Sequence, residues 1–171
     1  MPLDTDGFDG LMTDIPGLCL TIYYADCIPV LLYDPVKKAI AAVHSGWRGT
    51  SLGIAPQAVE KLAARYGSDP RDILVAIGPG IGACCFEVGP EVVAAAEALL
   101  HEPLGALVRP RADGKALLDL KGVNARRLVQ LGVPAGQIAV SDACTMCRPD
   151  VFWSHRATDG RRGVQAAVIT L

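Results

Sequence analysis

Neither sign of charge is in excess in this chain. Sixteen Lys and Arg stand against 18 Asp and Glu, a net charge of −2. The basic residues are scattered apart from short pairs such as Arg161-Arg162, which reads as solvated surface, so there is no electrostatic footprint for nucleic acid or anionic lipid. Long apolar runs are missing too. No uncharged stretch exceeds 14 residues, and the one at residues 73–86 is too short to span a bilayer and is broken by glycines and a proline. The opening MPLDTDGFDG is acidic and lacks the basic and apolar regions of a secretory leader. These absences set the expectation of a soluble, cytoplasmic protein with no nucleic-acid or membrane partner. Aromatics are few, at 5%, whereas hydrophobic residues reach 51%. That composition, rich in small apolar side chains, belongs to a compact globular chain and not to a disordered one. At 171 residues the chain fits a single domain, residues 1–171.

Six cysteines are present, but no export signal offers an oxidising compartment, and a bridge between adjacent Cys84 and Cys85 would be strained. Reduced thiols, one or more of them ligating a metal, are the expectation. Cys144-Thr-Met-Cys147 has the spacing of a redox site or zinc knuckle, although it is read as having no second pair to accompany it.

Strand-like segments recur at residues 18–24, 28–33, 39–43, 73–77, 138–140 and 163–171. Three helical patterns lie between them. One covers residues 51–66, with Leu52, Val59, Leu62 and Tyr66 in its apolar stripe; a second follows Pro90; a third covers residues 120–131. The architecture that follows is one α/β domain with a mixed sheet, because the first strands are too close together for a helical crossover.

Chemistry concentrates in residues 25–50, ADCIPVLLYDPVKKAIAAVHSGWRGT. Two apolar runs flank a short turn and must pair antiparallel. A turn centred on Pro35-Val36 pairs Tyr33 with Lys38, Leu31 with Ile40, Pro29 with Ala42, and Cys27 with His44. Opposed side chains share a sheet face about 4.5–5.5 Å apart, so Cys27 and His44 could reach one zinc ion. A buried cysteine beside a hydrogen-bonded histidine is the plainer alternative. After His44 the segment HSGWRGTS passes two glycines and enters a helix capped by Thr50 or Ser51. With the forked cation of Arg48 this makes a candidate anion site. Trp47 could stack on a flat ligand or serve as core. GPGIGACCFEVG follows a strand and could cradle a phosphate or nucleoside through Gly80 and Gly82, or be a tight structural loop; it is neither a Walker loop nor a dinucleotide fingerprint. His101, near a helix end, is most simply a surface capping residue.

Four ordered blocks, YADCIPVLLYDP, AAVHSGWRGT, AIGPGIGACCFEVGPEV and SDACT…VFWSHRATDGRRG, make the sequence resemble the YfiH/LACC1-type family over essentially its whole length. Members of that family, long described as multicopper polyphenol oxidases (laccases), are associated with purine nucleoside phosphorylase and adenosine deaminase chemistry. The resemblance implies a layered α/β sandwich with a mixed sheet, CNF1/YfiH-like and related to cysteine hydrolases. It further implies a catalytic zinc held by two histidines and a cysteine, matched here by Cys27 and His44. The other histidine belongs to an upstream Q-x-H-G segment absent from this sequence, which matches the C-terminal two-thirds of a family member. The C-terminal block keeps Ser154, His155 and Arg156 as candidate substrate contacts, but departs from the family's second arginine and TGR pattern. His155 is a candidate replacement for the missing histidine.

The expected function is a zinc-dependent purine nucleoside enzyme. Phosphorolysis of adenosine or inosine would place phosphate at Arg48, and deamination of adenosine would use water activated at the Cys27–His44 metal. Asp26 would orient a ligand or relay a proton, or make a turn hydrogen bond. One alternative is a copper-dependent polyphenol oxidase, for which three histidines are few. The other is an inactive truncated domain with a structural or partner-binding role, and the reading allows for an oligomer or a complementing chain.

Overall fold

A computed structural model of the chain describes residues 7–171. The first six residues, part of the acidic opening from which the absence of a leader was read, lie outside the described residues. Ten strands form: β1 (Gly10–Thr13), β2 (Cys19–Tyr24), β3 (Ile28–Asp34), β4 (Ala39–Ser45), β5 (Leu74–Ile77), β6 (Glu87–Val88), β7 (Val108–Pro110), β8 (Ala116–Leu118), β9 (Ile138–Val140) and β10 (Gln165–Thr170). Four α-helices accompany them: α1 (Trp47–Ser51), α2 (Ile54–Tyr66), α3 (Pro90–Leu100) and α4 (Leu120–Gln130). The central sheet has the order β1-β4-β3-β5-β9, antiparallel except for the parallel β5–β9 pair. An antiparallel ribbon of β2 and β10 and a small sheet β6-β8-β7 complete the fold. The mixed α/β class expected from sequence is what forms.

Strand alternation sorts the side chains into layers. Ile28, Val30 and Leu32 of β3 and Ala39, Ala41 and Val43 of β4 pack with Ala55, Val59 and Leu62 of α2, Val92 and Leu100 of α3, and Val123 and Leu128 of α4. Burying each of the larger of these side chains stabilises by about 1.5–3 kcal/mol. On the opposite face Ile40 and Ala42 meet Leu20 and Ile22 of the ribbon, with Leu31, Tyr33 and Ile169 around them. The central sheet thus lies between helices on one side and the β2–β10 ribbon on the other. A buried polar knot fixes the helical side. Ser45 Oγ donates to Asn124 Oδ1 (2.9 Å), and Asn124 Nδ2 donates to Thr50 Oγ1 (3.1 Å) and to the Leu120 carbonyl (2.8 Å).

Two expectations are corrected. The helix expected over residues 51–66 is broken, since Gly53 takes a left-handed conformation (φ 72°) and ends α1 before α2 begins. Leu52 therefore leaves the apolar stripe and is 76% exposed, and the cap of α1 is Gly46, with Thr50 inside the helix. The β3–β4 register is also two residues away from the expected one: Tyr33 pairs with Ile40, Leu31 with Ala42 and Pro29 with His44. The cause is a four-residue loop in which Lys38 is left-handed (φ 51°). Asp34 Oδ1 accepts the amides of Val36 (2.8 Å) and Lys37 (2.9 Å). A two-residue slide leaves every side chain on the face expected for it, where a one-residue slide would not.

Asp34 is fully buried and its Oδ2 has no hydrogen-bond partner among the described residues. Asp34→Ala is expected to cost ~1–2 kcal/mol in urea unfolding, because two turn amides lose their acceptor. Asp34→Asn keeps an acceptor and should cost less; equal losses would show that the turn bonds contribute nothing.

Candidate active site

The parallel pairing of β5 and β9 directs both following loops to one end of the sheet. Ser141 N–H donates to the Ile77 carbonyl (2.9 Å), Thr145 N–H to the Gly80 carbonyl (3.1 Å), and Gly80 bridges Cys144 in parallel. The turn between β2 and β3 sits against this junction. Within it Asp26 is left-handed (φ 78°), a conformation that Asp tolerates better than most residues. Its carboxylate is buried and accepts Thr145 Oγ1 (2.5 Å), Ser154 Oγ (3.1 Å) and the Arg156 amide (2.7 Å). Its carbonyl accepts the Ile81 amide (2.8 Å). Asp26 thus joins three chain segments, a larger task than a local turn bond.

Cys27 follows immediately. His44 pairs with Pro29 and not with Cys27, so the two candidate ligands are diagonal on one face instead of directly opposed. They flank Gly46: a β-carbon built there would lie 3.0 Å from Cys27 Sγ and 3.8 Å from His44 Cε1. Asp9, just ahead of β1, holds the histidine from the other side. Its carbonyl accepts the His44 amide (2.7 Å) and its Oδ1 lies 3.0 Å from Nδ1. The hydrogen bond with Cys27, opposed by burial and reinforced by the Asp9 carboxylate, pushes the His44 pKa up to about 9. Such a carboxylate–imidazole pairing also orients a metal-ligating ring.

These groups open into a cleft of about 420 Å³, lined among others by Tyr23, Tyr24, Cys27, His44, Phe86, His155, Arg156 and Arg162. Its size is that of a small-molecule site. Burial raises the Tyr24 phenol above its usual range. The Arg156 guanidinium donates to the Glu87 carbonyl (3.0 Å) and lies 5.7 Å from the Phe86 ring centre. Arg162 spends one nitrogen on the Gly163 carbonyl (3.2 Å), and its buried Nε has no partner among the described residues.

Of the residues singled out from sequence, Asp26, Cys27, His44, His155 and Arg156 line this cleft. Trp47 and Arg48 do not: Arg48 is exposed and stacks on Trp47, 4.4 Å from the ring centre. Gly80 and Gly82 serve the protein's own packing. A β-carbon on Gly80 would meet Ile28 Cδ1 at 2.5 Å and the Asp26 carbonyl at 3.0 Å, and one on Gly82 would meet Cys144 Cβ at 3.1 Å. Ser154 is buried, bonded to Asp26 and accepting the Ala157 amide (3.1 Å). His101 caps α3 in a left-handed conformation (φ 54°). Sequence reasoning missed Asp9, Tyr23, Tyr24, Phe86 and Arg162. Only Arg162 carried a signal, as half of a basic pair.

One thiol and one imidazole fit two corners of a catalytic zinc shell, which ordinarily takes three protein ligands. Among the described residues they gain no third donor near enough to share an ion; the grouping of three or more that does arise is Cys84, Cys85, Cys144 and Cys147. His155 lines the same cleft without joining the pair closely enough. The chain's three histidines, with His101 outside the cleft, do not supply the imidazole clusters of multicopper chemistry. No helix among the described residues is long and apolar enough to cross a membrane.

The model of the family described as multi-copper polyphenol oxidoreductase laccase matches residues 2–171. Purine nucleoside phosphorylase YlmD of Geobacillus stearothermophilus is 40% identical over 163 residues, which cover 95% of this chain and 60% of that protein. Adenosine deaminase RL5, from an unknown prokaryotic organism, is 40% identical over 151 residues, covering 88% of this chain and 57% of that protein. The crystal structure of the Bacillus licheniformis hypothetical protein YfiH superposes with a TM-score of 0.90 at 43% identity, covering 95% of this chain and 61% of that one. The chain therefore spans about 60% of the length of the relatives it matches.

Asp26→Ala is expected to destabilise the chain by ~2–4 kcal/mol, since two buried hydroxyls and the half-buried Arg156 amide lose one acceptor. Hydrogen exchange should show it locally, with the Arg156 amide exchanging far faster relative to amides of α2. Uniform acceleration across the chain would mean that Asp26 does not specifically hold the 154–156 segment.

Proposed function

We propose that this chain, which belongs to the multi-copper polyphenol oxidoreductase laccase family, acts on purine nucleosides. It cleaves adenosine or inosine with phosphate and deaminates adenosine. The observation that carries this reading is the composition of one cleft, where a thiol–imidazole pair, three aromatic rings and two guanidinium groups face the same 420 Å³. Relatives named for phosphorolysis and for adenosine deamination support it. The copper-oxidase alternative draws no support from the donor set.

In this reading Tyr23, Tyr24 and Phe86 flank the purine, whose flat face suits aromatic stacking. Arg156 and Arg162 take the phosphate in place of exposed Arg48, and the unpartnered Arg162 Nε supports that assignment. In phosphorolysis a phosphate oxygen bonds to the anomeric ribose carbon as the carbon–nitrogen bond to the purine breaks. The departing base needs a proton, and in this reading His155 hands one over. In deamination the oxygen of water bonds to the purine carbon that carries the amine, and ammonia leaves. Cys27 and His44 would hold zinc with further donors, and zinc when bound supplies Lewis acidity and lowers the pKa of water. Asp9 keeps the His44 ring oriented for that task.

The assay follows inosine cleavage with and without phosphate, beside conversion of adenosine to inosine, with zinc supplied. Arg162→Lys keeps the charge but loses the planar fork, so phosphate-dependent cleavage should fall on the order of tenfold while deamination changes little. Arg48→Lys should leave both within about twofold, as fits an exposed surface position. Cys27→Ser or His44→Ala should abolish both activities. Equal losses from Arg162→Lys would remove the phosphate assignment, and no activity in the unmodified chain would favour the inactive-domain alternative.

A further inference from the structure

The loops that leave β5 and β9 bring together four cysteines from two places about 60 residues apart in the sequence. Cys84 Sγ lies 3.5 Å and Cys85 Sγ 3.4 Å from Cys147 Sγ, and these three atoms with Cys144 Sγ all fall within 4.8 Å of one another. All four are free thiols. Four thiolates about 2.3 Å from a tetrahedral ion stand ~3.8 Å apart, within the observed spread. The surroundings suit accumulated negative charge. The Gly82 amide donates to Cys144 Sγ (3.2 Å), and the buried Lys121 ammonium is fixed beside the same loop by the carbonyls of Ser141 (2.6 Å) and Ala143 (3.0 Å). Gly82 also leaves the room: a β-carbon there would press on Cys144 Cβ (3.1 Å) and Cys84 Sγ (3.2 Å).

We propose that Cys84, Cys85, Cys144 and Cys147 form a closed four-thiolate site for a soft divalent cation of the zinc class, separate from the Cys27–His44 pair. An all-sulfur tetrahedral set selects zinc over hard cations, and with no open position its role is structural. The site clips the loop after β5 to the loop after β9. Cys85 adjoins Phe86 of the cleft wall, and Thr145, between the two later ligands, bonds to Asp26. Metal bound here therefore holds the cleft together without entering it.

The test uses the full chain carrying Cys27→Ser and His44→Ala, purified with a thiol reductant, so that the four cysteines are the remaining cluster. Native mass spectrometry and elemental analysis should find one zinc per chain. Cobalt(II) titrated into the stripped protein should give thiolate charge-transfer and intense tetrahedral bands that saturate at one equivalent. Adding Cys144→Ser and Cys147→Ser should abolish metal and spectrum together. Cys84→Ser, at an exposed position, should retain the fold, lower affinity on the order of tenfold or more, and reduce charge-transfer intensity by about a quarter. The proposal is overturned if the chain carrying Cys27→Ser and His44→Ala, with its four cysteines intact, yields no cobalt–thiolate spectrum. It is equally overturned if the spectrum survives loss of the cysteines, if Cys84→Ser leaves intensity unchanged, or if intact masses reveal a metal-free disulfide.

Discussion

The Asp26 carboxylate is the contact on which the functional end of this molecule depends. A buried carboxylate is costly unless donors surround it, and here the donors come from Thr145, Ser154 and Arg156, well over a hundred residues away. The left-handed backbone at Asp26 adds its own strain. Both costs are sustained only while the distant loops stay in place. In return the carboxylate fixes where Cys27 begins and where the His155–Arg156 segment ends up. One wall of the cleft thus depends on the other through a single side chain.

Much of the architecture was legible because it is written in local periodicity. The β3–β4 hairpin, the alanine-rich α3 and the apolar stripes of α2 and α4 all follow from residues close in sequence. The hairpin register was less legible, because it turns on Lys38 adopting a left-handed conformation that a lysine does not advertise. The face of each strand nevertheless survived, since two residues is a full pleat period. The short strands β1, β6, β7 and β8, of two to four residues, were not read from the sequence. Losing β1 from the sequence reading also lost Asp9, which reaches His44 only because β1 pairs with β4.

The candidate site shows the same division. Cys27 and His44 were found because they flank one hairpin, a local relation. Arg162, Phe86 and the two tyrosines were not, because their convergence is set by the β2–β10 ribbon and the loop after β5. Cys144 and Cys147 looked partnerless because their partners are adjacent cysteines rather than a second spaced pair. Gly80 and Gly82 misled in the opposite direction: glycine marks a close approach, and the approaching group proved to be the protein's own backbone and side chains.

The parallel pairing of β5 with β9 has a consequence for the order in which the chain acquires its shape. Val75 and Ile138 meet across some sixty intervening residues, whereas β3 and β4 are joined by four. Closing the larger loop costs more chain entropy before any contact rewards it. On chain entropy alone the hairpin with α2 is expected to form first and the β5–β9 junction to close after it. Every element of the cleft outside the hairpin is carried by that junction or by the terminal strand. A chain that folds in this order would display its thiols and its His44 ring to solvent before they have a pocket to share.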